Sequence, residues 1–197
     1  MTDSEAKVRV AFMRALVSST ERLDEPTRTL AREALVGVAE QVEAAPRFGW
    51  MPGEVNFDAV DQLTKTIGVP DTRRFFRELF GRVWQESSFL STFVQGLVRM
   101  HPDPGAYLKY LDQGYRQIFR GFGRWATGKR TAKTSVGVLS EMPARCLTHN
   151  GIWVRYTAAS LSTIYDLAGV DGRAEVIELD VENRRATLLF SWSSRAR

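Results

Sequence analysis

The sequence predicts an α+β fold, a helical N-terminal half packed on a small antiparallel sheet that one short helix interrupts. Three observations carry this. Apolar residues recur at helical spacing up to about residue 125, beginning with Val8, Phe12, Ala15 and Leu16. Past Lys133 the period shortens and β-formers dominate. Between these regimes, residues 110–141 pass from an aromatic, basic helix, YLDQGYRQIFRGFGRW, through the turn ATGKRTAK to the strand-like TSVGVLSE.

Residues 4–20 read as an amphipathic helix. Asp24-Glu25-Pro26 opens a second, running to about residue 45 over Leu30, Ala34, Leu35, Val38 and Val42, with Pro46 as its stop. Residues 1–46 thus form an N-terminal helical pair, and 47–197 an α+β domain continuous with it. The connector RFGWMPGE carries two exposed-looking aromatics, Phe48 and Trp50. Asn56 caps a helix over 57–67 that Gly68 ends, and Pro70 starts another, over Phe75, Phe76, Leu79, Phe80, Val83 and Trp84. This helix continues, with an interruption at Ser87-Ser88, to Met100. His101-Pro102-Asp103-Pro104 is a break, and a further helix runs over 105–125. Strands are expected at 135–141, 174–179 and 185–192, with one short helix over 158–168. Asn150-Gly151, between CLTH and IWVRY, reads as a hairpin turn, or alternatively as a bulge in one strand.

Composition narrows the functional classes. At 197 residues, 44% hydrophobic and 25% charged, the chain is long enough for one sizeable core. No apolar run approaches the roughly 18–20 residues that span a bilayer, and the N-terminus lacks the uninterrupted apolar core of a secretory signal. A cytoplasmic location is expected. The lone Cys146 forms no internal disulfide and suits a reducing compartment. A net charge of +4 is a weak argument for nucleic acid, which is not the expected partner.

The main candidate site is basic. Arg116, Arg120 and Arg124 fall at i, i+4 and i+8 and would share one helix face, with Lys129 and Arg130 in the turn beyond. No Asp or Glu occurs between Asp112 and Glu141. Guanidinium groups so placed grip phosphate or carboxylate bidentately; the plain alternative is a solvated helix face. The second candidate is an apolar ligand pocket among Phe76, Phe80, Trp84, Phe93 and Tyr115, residue types that otherwise build core. Other chemistry fails on pattern. Gly123 and Gly128-Lys129 have phosphate-loop spacing, but Arg130 stands at the Ser/Thr position and the element order is reversed. Cys146 and His149 are too few for zinc, so no metal is expected. No nucleophile-base pattern or G-x-S-x-G elbow points to an enzyme.

Over residues 55–192, the segments FFRELFGRVWQESSF, LKYLDQGYRQIFRGFGRW, SVGVLSEMPARCLTHNGIWVRY, SLSTIYDLAG and AEVIELDVENRRATLLFSW together resemble a myxobacterial paralogous family of similar length. That group is similar in architecture to the haem-NO-binding and 4-vinyl-reductase domains. The resemblance implies their fold and a small sensory or adaptor role, with homodimerisation as one option. Haem-NO-binding relatives use a proximal histidine on a helix and a Tyr-x-Ser-x-Arg signature. This sequence has no such signature, its His101 precedes Pro102, and the cysteines of a reductase-type metal site are absent. No cofactor is expected. The sequence therefore suggests a non-catalytic regulatory or adaptor module acting through a protein partner in bacterial signalling. Its alternative is a sensor holding an apolar or anionic small molecule between helices and sheet.

Overall fold

Residues 7–9 form a strand, β1 (Lys7–Arg9), where the sequence predicts the first turn of a helix. Val8 is buried and Lys7 exposed, the alternation of a strand with one face inward. The structure, a computed structural model, describes residues 6–86 and 104–193, the side chains of 84–86 excepted. Helix α1 (Val10–Ser19) follows and buries Phe12, Met13 and Leu16. Helix α2 (Glu25–Ala34) opens at the expected Asp24-Glu25-Pro26, with Pro26 in the first turn, where its missing N–H costs nothing. The long helix expected to residue 45 is split at Leu35, and α3 (Val36–Ala44) continues on a different face. Val38 and Val42 are buried as expected, while the break leaves Leu30 exposed and turns Ala31 inward.

Strand β2 (Trp50–Pro52) returns to pair with β1, Arg9 opposite Trp50. Helix α4 (Glu54–Glu86) is two helices joined at Gly68, whose φ of 79° and ψ of 165° break the ladder just before Pro70. The expected pair of helices is thus present. Asn56 is no cap, however. It is buried, and its side-chain oxygen accepts the Trp153 indole N–H at 2.8 Å.

The helix expected over 105–125 is instead a short turn, α5 (Pro104–Tyr107), a 3-10 turn at Leu108–Tyr110, and α6 (Leu111–Ile118). Then β3 (Phe119–Arg120) joins β1 to complete a three-stranded sheet in the order β2-β1-β3. Gly121 and Gly123, with φ of 68° and 118°, turn the chain into β4 (Arg124–Arg130). After β5 (Thr134–Ser140) come two helices, α7 (Thr148–Leu161) and α8 (Thr163–Ala168), then β6 (Gly172–Asp180) and β7 (Arg185–Trp192). The second sheet is antiparallel in the order β4-β5-β7-β6, and α7 packs on α4 and on β6. On β7, Ala186, Leu188, Phe190 and Trp192 alternate inward. The α+β class with a helix-interrupted sheet is confirmed, although the interruption is longer than expected.

No hairpin forms at Asn150-Gly151. His149, Asn150 and Gly151 all take left-handed conformations, φ 51°, 59° and 65°, and lead into the main body of α7. The Asn-Gly pair signals positive φ correctly, but the residues after it turn helical. Trp153, Val154 and Tyr156 gain more by burying against α4 than their strand propensity opposes.

Candidate functional site

A cleft of about 640 Å³ lies between the sheet edge and the helices. Its sheet wall is the edge strand β6, through Ala174, Val176 and Ile177. Its helical wall is α7, through Ile152, Arg155 and Ala158, and Val69 and Arg73 close it from α4 just past the Gly68 kink. The left-handed turn at 149–151 places His149 and Asn150 at the rim. That turn needs glycine at 151 twice over. Its φ is positive, and a β-carbon there would meet Leu179 of β6 at 2.7 Å.

The cleft sets apolar side chains beside positive charge that has no carboxylate partner among the described residues. Arg155 Nε donates to the Asn150 carbonyl at 3.0 Å, which holds the side chain along the rim, with no carboxylate partner among the described residues. Arg73 makes no ion pair among the described residues. Glu175, the one acid in the lining, is held by Arg173 at 3.2 Å. Guanidinium groups beside apolar side chains are the chemistry that can accommodate an apolar body with an anionic end. None of these lining residues was a candidate from the sequence. The cleft joins segments about 80 residues apart in the chain, and only the kink at Gly68 and the Asn-Gly turn leave a local trace of it.

The basic stripe does not form a helix face. Arg116 is on α6 and pairs with Asp112 at 2.7 Å, whereas Arg124 is on β4 and pairs with Glu141 at 3.2 Å. The two acids that bound the acid-free stretch thus neutralise its ends. Arg120 lies on β3, its guanidinium 4.1 Å from the Trp50 ring centre. Lys129 is exposed on β4, and the Arg130 side chain runs against the backbone of Gly105. The helical reading fails because Gly121 and Gly123 end the helix at Ile118.

The aromatic candidates are core. Phe76 stacks on Tyr156, centres 5.3 Å apart, and Phe80 meets Phe12 edge-on at 5.4 Å. Tyr115 contacts Phe119 and Trp125, and its hydroxyl donates to the Phe122 carbonyl at 3.3 Å. Burial pushes the Tyr115 hydroxyl well above the usual phenol range, with Cys146 and Asp112 adding to the effect. The void beside Phe76 and Phe80 has about 10 Å³, room for at most one water. The Trp84 side chain and Phe93 lie outside the described residues, as does His101. Among the described residues, no group of three or more His, Cys, Asp or Glu is placed to hold a metal ion, and no helix is long and apolar enough to cross a membrane.

The architecture is that of the H-NOX fold. An Fe(II) unliganded H-NOX protein from K. algicida superposes with a TM-score of 0.65 at 8% identity, covering 96% of this chain and 98% of that one. An H-NOX variant from T. tengcongensis gives 0.61 at 11% identity, over 93% and 96% of the two chains. An oxygen-binding H-NOX domain related to soluble guanylate cyclases, solved as its oxygen complex, gives 0.59 at 9%, over 92% and 93%. At these identities the likeness is one of fold. No family model matches the sequence, and no curated protein matches it.

Haem, the group this fold family implies, does not fit the described interior. A buried macrocycle needs a slot of several hundred Å³, within the roughly 300–1,000 Å³ of small-molecule sites. Here Phe119, Phe122 and Trp153 occupy the centre in mutual contact, with centres 4.9–5.7 Å apart. Phe57 caps them at 5.1 Å from Phe122. His149 is exposed at the rim of the outer cleft, away from this cluster.

Proposed function

We propose that the chain is a non-catalytic sensor module whose ligand is a small amphipathic carboxylate, bound in the cleft between α4, α7 and β6. The observation that carries the reading is the cleft itself. Its volume lies in the range of small-molecule sites, apolar side chains line it beside polar ones, and Arg73 and Arg155 stand over it without carboxylate partners among the described residues. Solved relatives in fold include an oxygen-binding domain, which supports a sensing role over a purely structural adaptor. An aliphatic or aromatic body would lie against Val69, Ile152 and Val176, and the carboxylate would meet the two guanidinium groups.

The test uses 8-anilinonaphthalene-1-sulfonate, an apolar anionic fluorophore, displaced by octanoate. The expected result is saturable fluorescence that octanoate reverses. Arg155→Ala should weaken binding about tenfold or more, the worth of one charge-assisted hydrogen bond at roughly 1.5–3 kcal/mol. Arg155 is exposed, so thermal stability should change by less than about 0.5 kcal/mol. Equal affinity in the wild type and the variant refutes the site.

A further inference from the structure

The three-stranded sheet β2-β1-β3 has one buried face and one solvent face, and their compositions differ sharply. Val8, Met51 and Phe119 point inward and are buried. The outward set at alternate positions is Lys7, Arg9, Trp50, Pro52 and Arg120, three cations around one indole with no acid among them. The guanidinium carbons of Arg9 and Arg120 stand 4.3 and 4.1 Å from the Trp50 ring centre. Arg9 is anchored further, donating to the carbonyls of Gln117 and Phe48, both at 3.2 Å. At the rim, Phe48 is 83% exposed and Arg47 lies 5.7 Å over its ring.

Among the described residues, neither Arg47 nor Arg120 makes an ion pair. By contrast Arg32, Arg77, Arg116, Arg124 and Arg145 all hold carboxylates. A guanidinium held against an aromatic ring has lost much of its side-chain freedom, yet its N–H edge stays available. It therefore meets an incoming carboxylate with a smaller entropic cost than a free arginine would.

We propose that this face docks an acidic, extended segment of a partner protein, whose carboxylates engage Arg9, Arg47 and Arg120 while Phe48 and Trp50 supply apolar contact. Charge complementarity selects the occupant. Single-stranded nucleic acid uses open aromatic faces as stacking platforms, and here arginines cover the Trp50 ring. An anionic membrane surface binds a larger cluster of mobile cations, whereas here the arginines are held against Trp50 and Phe48. A peptide of alternating acidic and apolar side chains offers carboxylates to the guanidinium groups and apolar side chains to Phe48 and Trp50.

The test is fluorescence polarisation with a fluorescein-labelled peptide of alternating glutamate and leucine against the full chain. A thymidine oligonucleotide and phosphatidylserine vesicles are run in parallel. The expected result is peptide binding that weakens with salt and falls at least about tenfold in Arg120→Glu, while Lys129→Glu matches the wild type. The Arg120 side chain is exposed and makes no hydrogen bond among the described residues, so an unchanged melting curve certifies that the variant is folded. The proposal is overturned by absent peptide binding, by tighter binding of the oligonucleotide or vesicles, or by an Arg120→Glu affinity equal to wild type.

Discussion

Tyr115 shows how one residue couples the core to pH. Its hydroxyl is buried among rings and its one described hydrogen bond, to the Phe122 carbonyl, favours the neutral form. Burial raises its pKa in the fold, whereas the unfolded chain ionises near the ordinary value of about 10. The stability this group provides is therefore complete below about pH 10 and is lost as pH climbs from there toward the folded value. Tyr165 and Tyr156 are shifted upward too, both chiefly by burial, and act in the same sense. Tyr115→Phe should cost about 1 kcal/mol at neutral pH through the lost hydrogen bond, and should lose less between about pH 8 and pH 11 than the wild type. Urea midpoints at the two pH values measure both effects. Arg145 is the opposite case at this scale, with nothing in the sequence to single it out. In the fold it gathers Glu54, Asp58 at 2.6 Å and Asp61 at 3.2 Å, one turn apart along α4. Partial burial opposes its charge, but the three hydrogen bonds outweigh burial and raise its pKa.

Elements were legible where punctuation and period agreed, and illegible where they conflicted. Gly68-Val-Pro70 marked the α4 kink, and β7 alternates as its residues require. The segment after Ile118 misled because Phe119, Phe122 and Arg120 continue a helical spacing that Gly121 and Gly123 physically end. The segment after Gly151 misled in the other direction. Trp153, Val154 and Tyr156 have strand propensity, but a helix lets all three reach α4 and the sheet together. The turn that starts this helix is therefore the sensitive point. Gly151→Ala should destabilise the protein by about 2–4 kcal/mol, combining left-handed strain with a clash against Leu179. Thermal unfolding should show a lower midpoint, with anilinonaphthalene sulfonate binding reduced in the fraction still folded. A midpoint equal to wild type would mean that β6 moves aside freely.

The whole molecule has the H-NOX architecture with its described interior filled by its own side chains. Core residues from Ala6 to Trp192 form one continuous buried cluster, and aromatic pairs at its centre each add about 0.5–1.5 kcal/mol beyond their buried area. The fold class could be read from the change in hydrophobic period near residue 130. The cleft could not, because it is made where α4, α7 and β6 meet, three segments with no shared motif. The proposed ligand belongs to that outer cleft and not to the aromatic interior. The direct measurement is a backbone amide NMR titration with octanoate. The expected shifts cluster at Val69, Arg73, His149–Ile152, Arg155 and Ala174–Ile177, with the amides of Phe119, Phe122 and Trp153 unmoved. Shifts centred on Phe119, Phe122 and Trp153, or an unchanged spectrum at millimolar octanoate, would contradict it.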